Sequence, residues 1–228
     1  MGAKPVTLFL DSGAFSAIAL TPASLADLSV TFSGAVNKWR DSQGTVFQSR
    51  EFSTPNVTLG GVDFGPLEGT EFLQAQDTVL PQSGYLGFGF LRHYLVVFDY
   101  PAGRLQLFDS GDERAMDTNC GKDRFHFKVV NGVVQSEVET EAGALLFQWD
   151  TGSRETVLRP SAVGAQLSDK TPSMKSFARF EVEGKSLGRT VVNFREFRAP
   201  PVDGVIGSDL LSSHVLCLDA TRHIGAIK

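Results

Sequence analysis

Hydrophobic residues in this chain come in short runs and alternations, cut every few positions by glycine, proline, serine or aspartate. That pattern predicts short β-strands joined by tight turns with almost no helix, an all-β fold. Two of the runs end alike. The run 6–10 leads into Asp11-Ser12-Gly13-Ala14, and the run 145–149 leads into Asp150-Thr151-Gly152-Ser153. Apolar runs of this length, broken by small residues, read as buried strands, so each delivers a carboxylate from a rigid strand end, followed by a hydroxyl and a glycine. A second signal follows each copy: Gly84-Tyr85-Leu86-Gly87-Phe88-Gly89 in the first, Asp203-Gly204-Val205-Ile206-Gly207-Ser208 in the second. An apolar strand then closes each at an aspartate, and the interval from Gly87 to Asp99 equals that from Gly207 to Asp219. The chain is an internal duplication, a far more specific signal than either tripeptide alone.

Between these marks the pattern predicts the remaining elements. Residues 15–20 read as extended, and Thr21 and Pro22 open a short helix as N-cap and first helical residue. A strand at 30–32 is expected to turn at Ser33-Gly34. Residues 37–52 read as a hairpin turning at 41–44, and 57–64 as another around Gly60-Gly61. The polar stretch 66–83 reads as an irregular surface loop. A helical turn near 90–93 and a hairpin around Pro101-Ala102-Gly103 complete the first half. Residues 110–124, rich in charge and small residues, read as a linker. That sets a first lobe at 1–112 carrying Asp11, a connection at 113–122, and a second lobe at 123–228 carrying Asp150. In the second lobe Asn131-Gly132 marks a hairpin, 160–167 a short helix, and Gly184 a further turn. One asymmetry stands out. A hairpin precedes Asp150, but Asp11 has no room for one. Either the sequence begins inside the domain, or self-association or a partner strand completes the first lobe; left open, that edge invites aggregation.

Composition changes this picture little. At 228 residues, 42% hydrophobic and 21% charged, the chain can bury a sizeable core. A net charge of -5 with no basic stripe argues against nucleic acid. No apolar run reaches transmembrane length, so no membrane segment is expected. The start does not read as a signal peptide, although a domain trimmed from a longer precursor would look the same. Cys120 and Cys217 set no disulfide framework. Cys217 lies in the apolar run 215–218, where a buried thiol is the default reading, and Cys120 lies in the polar linker; a bond between them is the alternative. His93, His126, His214 and His223 lack metal-ligand spacing, so neither metal nor cofactor is expected. No serine sits in a GxSxG elbow.

The chemistry therefore rests on the two aspartates. Carboxylates from equivalent loops of duplicated lobes can meet across a pseudo-twofold axis. With oxygens about 3 Å apart they cannot both ionise and share one proton over a wide pH range. The member lacking the proton can activate a water, and its partner can polarise a peptide carbonyl. Ser12 and Thr151 would hydrogen-bond across the interface and fix the loops. Gly13 and Gly152 would let backbone N–H groups approach the carboxylates. Leu86-Gly87 and Ile206-Gly207 would pack beneath, the glycines passing where side chains do not fit.

Asp-[Ser/Thr]-Gly-[Ala/Ser] followed by two hydrophobic residues and glycine, present twice, resembles the aspartic proteases across essentially the whole chain. The short lobes, and the endings from Gly87 to Tyr94 and from Gly207 to Leu211, resemble the retropepsin-like branch, whereas two lobes in one chain is the pepsin arrangement. The resemblance implies a bilobal fold of two β-barrel-like lobes with an aspartic endopeptidase site between them, acting on a peptide or protein substrate. It implies Asp11 and Asp150 as the catalytic pair, with Ser12, Gly13, Thr151 and Gly152 in supporting positions. It also implies a flap, for which the hairpin carrying Trp39 and Phe47 is the candidate. Trp39 there either replaces the flap tyrosine of pepsin or is a core tryptophan. Ser12 in place of threonine keeps the hydroxyl and loses a methyl contact. Arg154 and Glu155 are polar for neighbours of a buried pair, and either point outward or tune the cleft. The competing reading is a catalytically silent, protease-like peptide-binding or scaffold protein. A lost aspartate would mark that reading, and neither is lost.

Overall fold

The computed structural model describes residues 5–40, 44–72, 83–166, 173–197 and 201–228. Strand makes up 48% of it and helix 12%, so the all-β expectation holds. The first half runs β1 (Leu8–Asp11), β2 (Ile18–Leu20), α1 (Pro22–Ala26), β3 (Thr31–Arg40), β4 (Val46–Ser53), β5 (Thr58–Leu59), β6 (Val62–Asp63) and β7 (Glu68–Glu71). It continues with β8 (Gly84–Gly87), α2 (Phe88–Leu91), β9 (Tyr94–Asp99) and β10 (Arg104–Asp109). After α3 (Glu113–Cys120) come β11 (Phe125–His126), β12 (Lys128–Val130), β13 (Val133–Thr140), β14 (Gly143–Trp149) and β15 (Val157–Leu158). Then follow β16 (Met174–Phe177), β17 (Phe180–Val182), β18 (Lys185–Ser186), β19 (Thr190–Phe194), β20 (Gly204–Ile206), α4 (Ser208–Leu211), β21 (Val215–Asp219) and β22 (Ile224–Ile227).

The duplication is visible in the pairing. In the first sheet, ordered β1-β8-β2-β7-β4-β3, β8 runs parallel to β1 and antiparallel to β2. In the second, ordered β16-β19-β15-β20-β14-β13-β17-β18 with β12 on β13, β20 runs parallel to β14 and antiparallel to β15. The parallel pairs β2·β7 and β15·β19 correspond as well. Among the described residues both sheet paths end in free edges. The barrel-like expectation therefore gives way to open sheets.

A third sheet joins the halves. Its order is β10-β9-β21-β22-β11, with β9 from the first half paired antiparallel to β21 from the second, Phe98 opposite Leu216. Strand alternation gives this sheet two apolar faces. Val96, Phe98, Leu216, Leu218 and Ile227 enter the main core, which also holds Phe52, Phe147, Trp149 and Ile206. Leu95, Val97, Cys217 and Ala226 face the other way, against Ala115, Met116 and Cys120 of α3.

Local chemistry explains several elements. Thr21 caps α1, its hydroxyl accepting from the Ser24 N–H at 3.3 Å. Asn131-Gly132 and Gly60-Gly61 both take the paired positive φ values that two-residue hairpins require. Elsewhere the structure departs from the pattern. Ser33-Gly34 does not turn the chain: Phe32 pairs with Phe52 and Val36 with Arg50, so the segment is a bulge within β3, and Gly34 at φ +81° accommodates it. The stretch 66–83 is not wholly irregular, because Glu68–Glu71 forms β7 between β2 and β4. The expected helix at 160–167 is a single 3-10 turn, Pro160–Val163, ended by Gly164 at φ +69°.

The supposed linker is largely helix. Asp112 caps α3 by accepting from the Ala115 N–H at 2.9 Å, and the helix lays its apolar residues on the joining sheet. That docking overturns the free-thiol reading: Cys120 and Cys217 are disulfide-bonded, with Cα atoms 6.2 Å apart and 97 residues between them in sequence. Asp219 caps a turn through the Arg222 N–H at 3.3 Å, and it also holds Ser110 Oγ at 2.8 Å and the Gly111 N–H at 2.7 Å. Among the described residues the edge expected at β1 is present: β1 ends its sheet, whereas its counterpart β14 is flanked by β13.

Opening the disulfide should release a long loop in the unfolded chain. Cys120→Ser with Cys217→Ser is expected to lower unfolding free energy by about 2–4 kcal/mol, read by denaturant titration beside the oxidised parent.

Candidate active site

Leu10 and Trp149 occupy equivalent ladder positions, the first opposite Leu86 and the second opposite Ile206, each one residue before its aspartate. The strands end there because β8 and β20 pass on into α2 and α4. Their glycines make the passage possible. A Cβ on Gly87 would lie 2.2 Å from the Ser16 carbonyl oxygen, and one on Gly207 would lie 2.5 Å from the Glu155 backbone. The next residues complete matching contacts, Phe88 N–H to Ala14 C=O and Ser208 N–H to Ser153 C=O, both at 2.8 Å. Leu86 and Ile206 are buried beneath.

The two loops interlock through Ser12 and Thr151. The Ser12 N–H donates to Thr151 Oγ1 and the Thr151 N–H donates to Ser12 Oγ, each at 3.0 Å. Each hydroxyl then donates onward into the opposite strand, Ser12 to the Trp149 carbonyl and Thr151 to the Leu10 carbonyl, both at 2.9 Å. Ser12 is fully buried. Each side chain thus both donates and accepts across the interface, and a serine does this as well as a threonine.

The interlock brings the carboxyl groups together. Asp11 and Asp150 lie close enough that each carboxyl alters the proton affinity of the other. Each also faces the other loop's glycine: a Cβ on Gly13 would sit 2.4 Å from the Asp150 carboxyl, and one on Gly152 would sit 2.6 Å from that of Asp11. Within its own loop each carboxylate accepts an N–H two residues on, Gly13 to Asp11 Oδ1 and Gly152 to Asp150 Oδ1, both at 2.9 Å. Although each residue is only half-buried, its carboxyl end is largely stripped of water. Burial first, then the charge of Asp150, pushes Asp11 up to about 8. Burial raises Asp150 too, opposed by the N–H groups of Gly152 and Ser153. Two desolvated carboxyls in contact hold at least one proton into the neutral range.

No family model and no curated protein matches this chain. The argument for its chemistry therefore rests on the geometry.

Beside Asp11 opens a cavity of about 230 Å³ lined by Asp11, Gly13, Ala14, Phe15, Ser16, Asn37, Thr70, Glu71, Phe72 and Tyr85. Its floor carries a short chain of hydroxyls, with Ser16 Oγ 3.0 Å from Tyr85 Oη and 3.4 Å from Thr70 Oγ1. Arg50 grips Glu71 with two hydrogen bonds of 3.0 and 2.7 Å and holds its carboxyl below the usual range. Sequence reasoning missed this wall, because Asn37, Thr70 and Glu71 come from strands whose faces are set only by pairing. Asn37 belongs to the hairpin β3–β4, the flap candidate, in which Trp39 pairs with a half-buried Phe47. The Trp39 side chain and the tip at 41–43 lie outside the described residues. Arg154 and Glu155 point outward, Glu155 pairing with Arg195 at 2.5 Å. Asp209 lies in the first turn of α4, where its carboxylate accepts the Leu210 N–H at 2.7 Å; it also holds the Thr156 N–H at 2.9 Å and hydroxyl at 2.6 Å, and Thr156 Oγ1 in turn receives the Gly207 N–H at 3.1 Å.

Two outcomes follow. Ser12→Ala leaves the Thr151 N–H and the Trp149 carbonyl without partners, and should cost about 2–4 kcal/mol by denaturant titration. The proton on Asp11 makes stability depend on pH. Its folded-state pKa of about 8 lies above its ordinary value of 3.8. Its contribution is therefore full below about pH 4 and is lost as the pH rises through 8. Asp11→Asn is expected to match the parent's melting temperature near pH 4 and to exceed it at pH 8.

Proposed function

We propose that the chain is an aspartic-type endopeptidase of bilobal build, each half supplying one carboxylate to a cleft between them. The observation that carries this reading is the contact between Asp11 and Asp150, delivered by equivalent loops and locked by reciprocal hydroxyls. A water held between the carboxyls loses a proton to the ionised member as its oxygen bonds to the peptide carbonyl carbon. The protonated member gives its proton to the carbonyl oxygen, so no isolated charge builds up in the desolvated site. The tetrahedral diol then collapses. One hydroxyl returns its proton to the pair, the carbon–nitrogen bond breaks, and the pair delivers a proton to the departing nitrogen. An extended peptide lying under the β3–β4 hairpin would place one side chain in the cavity beside Asp11. Because Asp11 keeps its proton up to about pH 8, the acid–base pair stays competent well above the carboxylate range.

The test is cleavage of a mixed peptide library from about pH 3 to 10 by the parent, Asp11→Asn and Asp150→Asn, with folding verified for each. The parent should cut with a bell-shaped profile, and each variant should lose about 10³-fold or more in kcat/KM. A folded parent that binds peptides without cutting them would favour a silent peptide-binding protein. Activity surviving either substitution would overturn the mechanism.

A further inference from the structure

The two carboxyls come from equivalent loops but have unequal neighbours. Two residues before Asp150, on the same face of β14, stands Gln148; the corresponding residue of β1 is Phe9. Phe9 turns its ring to Tyr85, with centroids 5.7 Å apart, and offers Asp11 no hydrogen. Gln148 is 4% exposed and extends Nε2 to 3.4 Å from Asp150 Oδ2, a long hydrogen bond. Asp150 Oδ1 accepts from the N–H groups of Gly152 at 2.9 Å and Ser153 at 3.0 Å. Asp11 has the Gly13 N–H at 2.9 Å, with the Ala14 backbone beside it.

The other end of the Gln148 amide is informative. Among the described residues its Oε1 is buried without a partner, a cost of about 1–3 kcal/mol. Turning the amide over would set that oxygen against the oxygens of Asp150. The amide therefore keeps its donor on the carboxyl and sacrifices its acceptor. Resting on the peptidase reading above, we propose that Gln148 is a positioning residue that makes Asp150 the ionised, water-activating member of the pair and leaves the shared proton on Asp11.

Among the described residues the other ionisable groups near the pair are Tyr85, which feels Asp11, Tyr100, which feels Asp150, and Glu71, in the wall of the cavity beside Asp11, which Arg50 holds in its ionised form. Burial raises both phenols, Tyr100 to about 12, so both stay neutral while the carboxyls titrate. Gln135, directly across the ladder from Gln148, is uncharged, and among the described residues its Nε2 is also unpartnered. It makes no contact with either carboxyl among the hydrogen bonds described, and serves as a control.

Protein labelled with ¹³C at the aspartate carboxyls would be titrated by NMR, using Asp11→Asn and Asp150→Asn to assign the resonances. The kcat/KM profile would be measured on the same samples. Asp150 should ionise at the lower pH of the two. Gln148→Leu should raise that midpoint by about one pH unit and move the acid limb of kcat/KM with it. Gln135→Leu should move neither. If Gln148→Leu does not fold, Phe9→Gln tests the same point by giving Asp11 a matching donor, which should narrow the gap between the midpoints. Asp11 ionising first, or midpoints unmoved by these changes, would overturn the proposal. An inactive parent with the expected titration would instead fault the peptidase reading and leave the proton assignment standing.

Discussion

Everything at the centre of this molecule depends on two hydroxyls that each serve the opposite half. Ser12 and Thr151 satisfy each other's backbone N–H and then bond into each other's strand. A buried N–H without a partner is costly, so neither loop reaches its low-energy form unless the other is present in register. The same contact fixes where the carboxyls must lie. The glycines follow from it, because a side chain on Gly13 or Gly152 would occupy the space of the opposite carboxyl. The site is a junction first, and its chemistry follows from the junction.

Duplication supplies symmetry, and the sequence then departs from it. The ladders around Asp11 and Asp150 match strand for strand, yet one carboxyl meets a phenylalanine two residues upstream and the other a buried amide. One side opens onto a cavity with hydroxyls in its floor; beneath the other, Thr156 and Asp209 tie Gly207 down. A reaction that needs an acid and a base from two identical residues needs such a difference, and a few substitutions around a symmetric frame create it.

The parts legible in the sequence were those that local pattern determines. An apolar run closed by aspartate, hydroxyl and glycine identifies itself, and its repetition exposed the duplication; Asn131-Gly132 marked its hairpin as plainly. What stayed hidden depends on partners distant in the chain. Glu68–Glu71 is strand only because β2 and β4 flank it. The stretch after Asp109 reads as linker from its charges, although Asp112 supplies a helix cap and Ala115, Met116 and Cys120 an apolar face. Once that helix is misread, Cys120 has no route to Cys217. Gln148 gave no signal, because an amide within an apolar run carries no pattern of its own.

The pairing of β9 with β21 bears on how the molecule comes into being. A ribosome releases β9 more than a hundred residues before the strand that covers its edge. Over that interval the first half can form local turns, but its loop at Asp11 lacks the hydroxyl that completes it. Contacts so distant in sequence make folding slow and place the decisive step late. The nascent chain therefore carries one aspartate without its partner, and the pair is complete only when the second half folds onto the first.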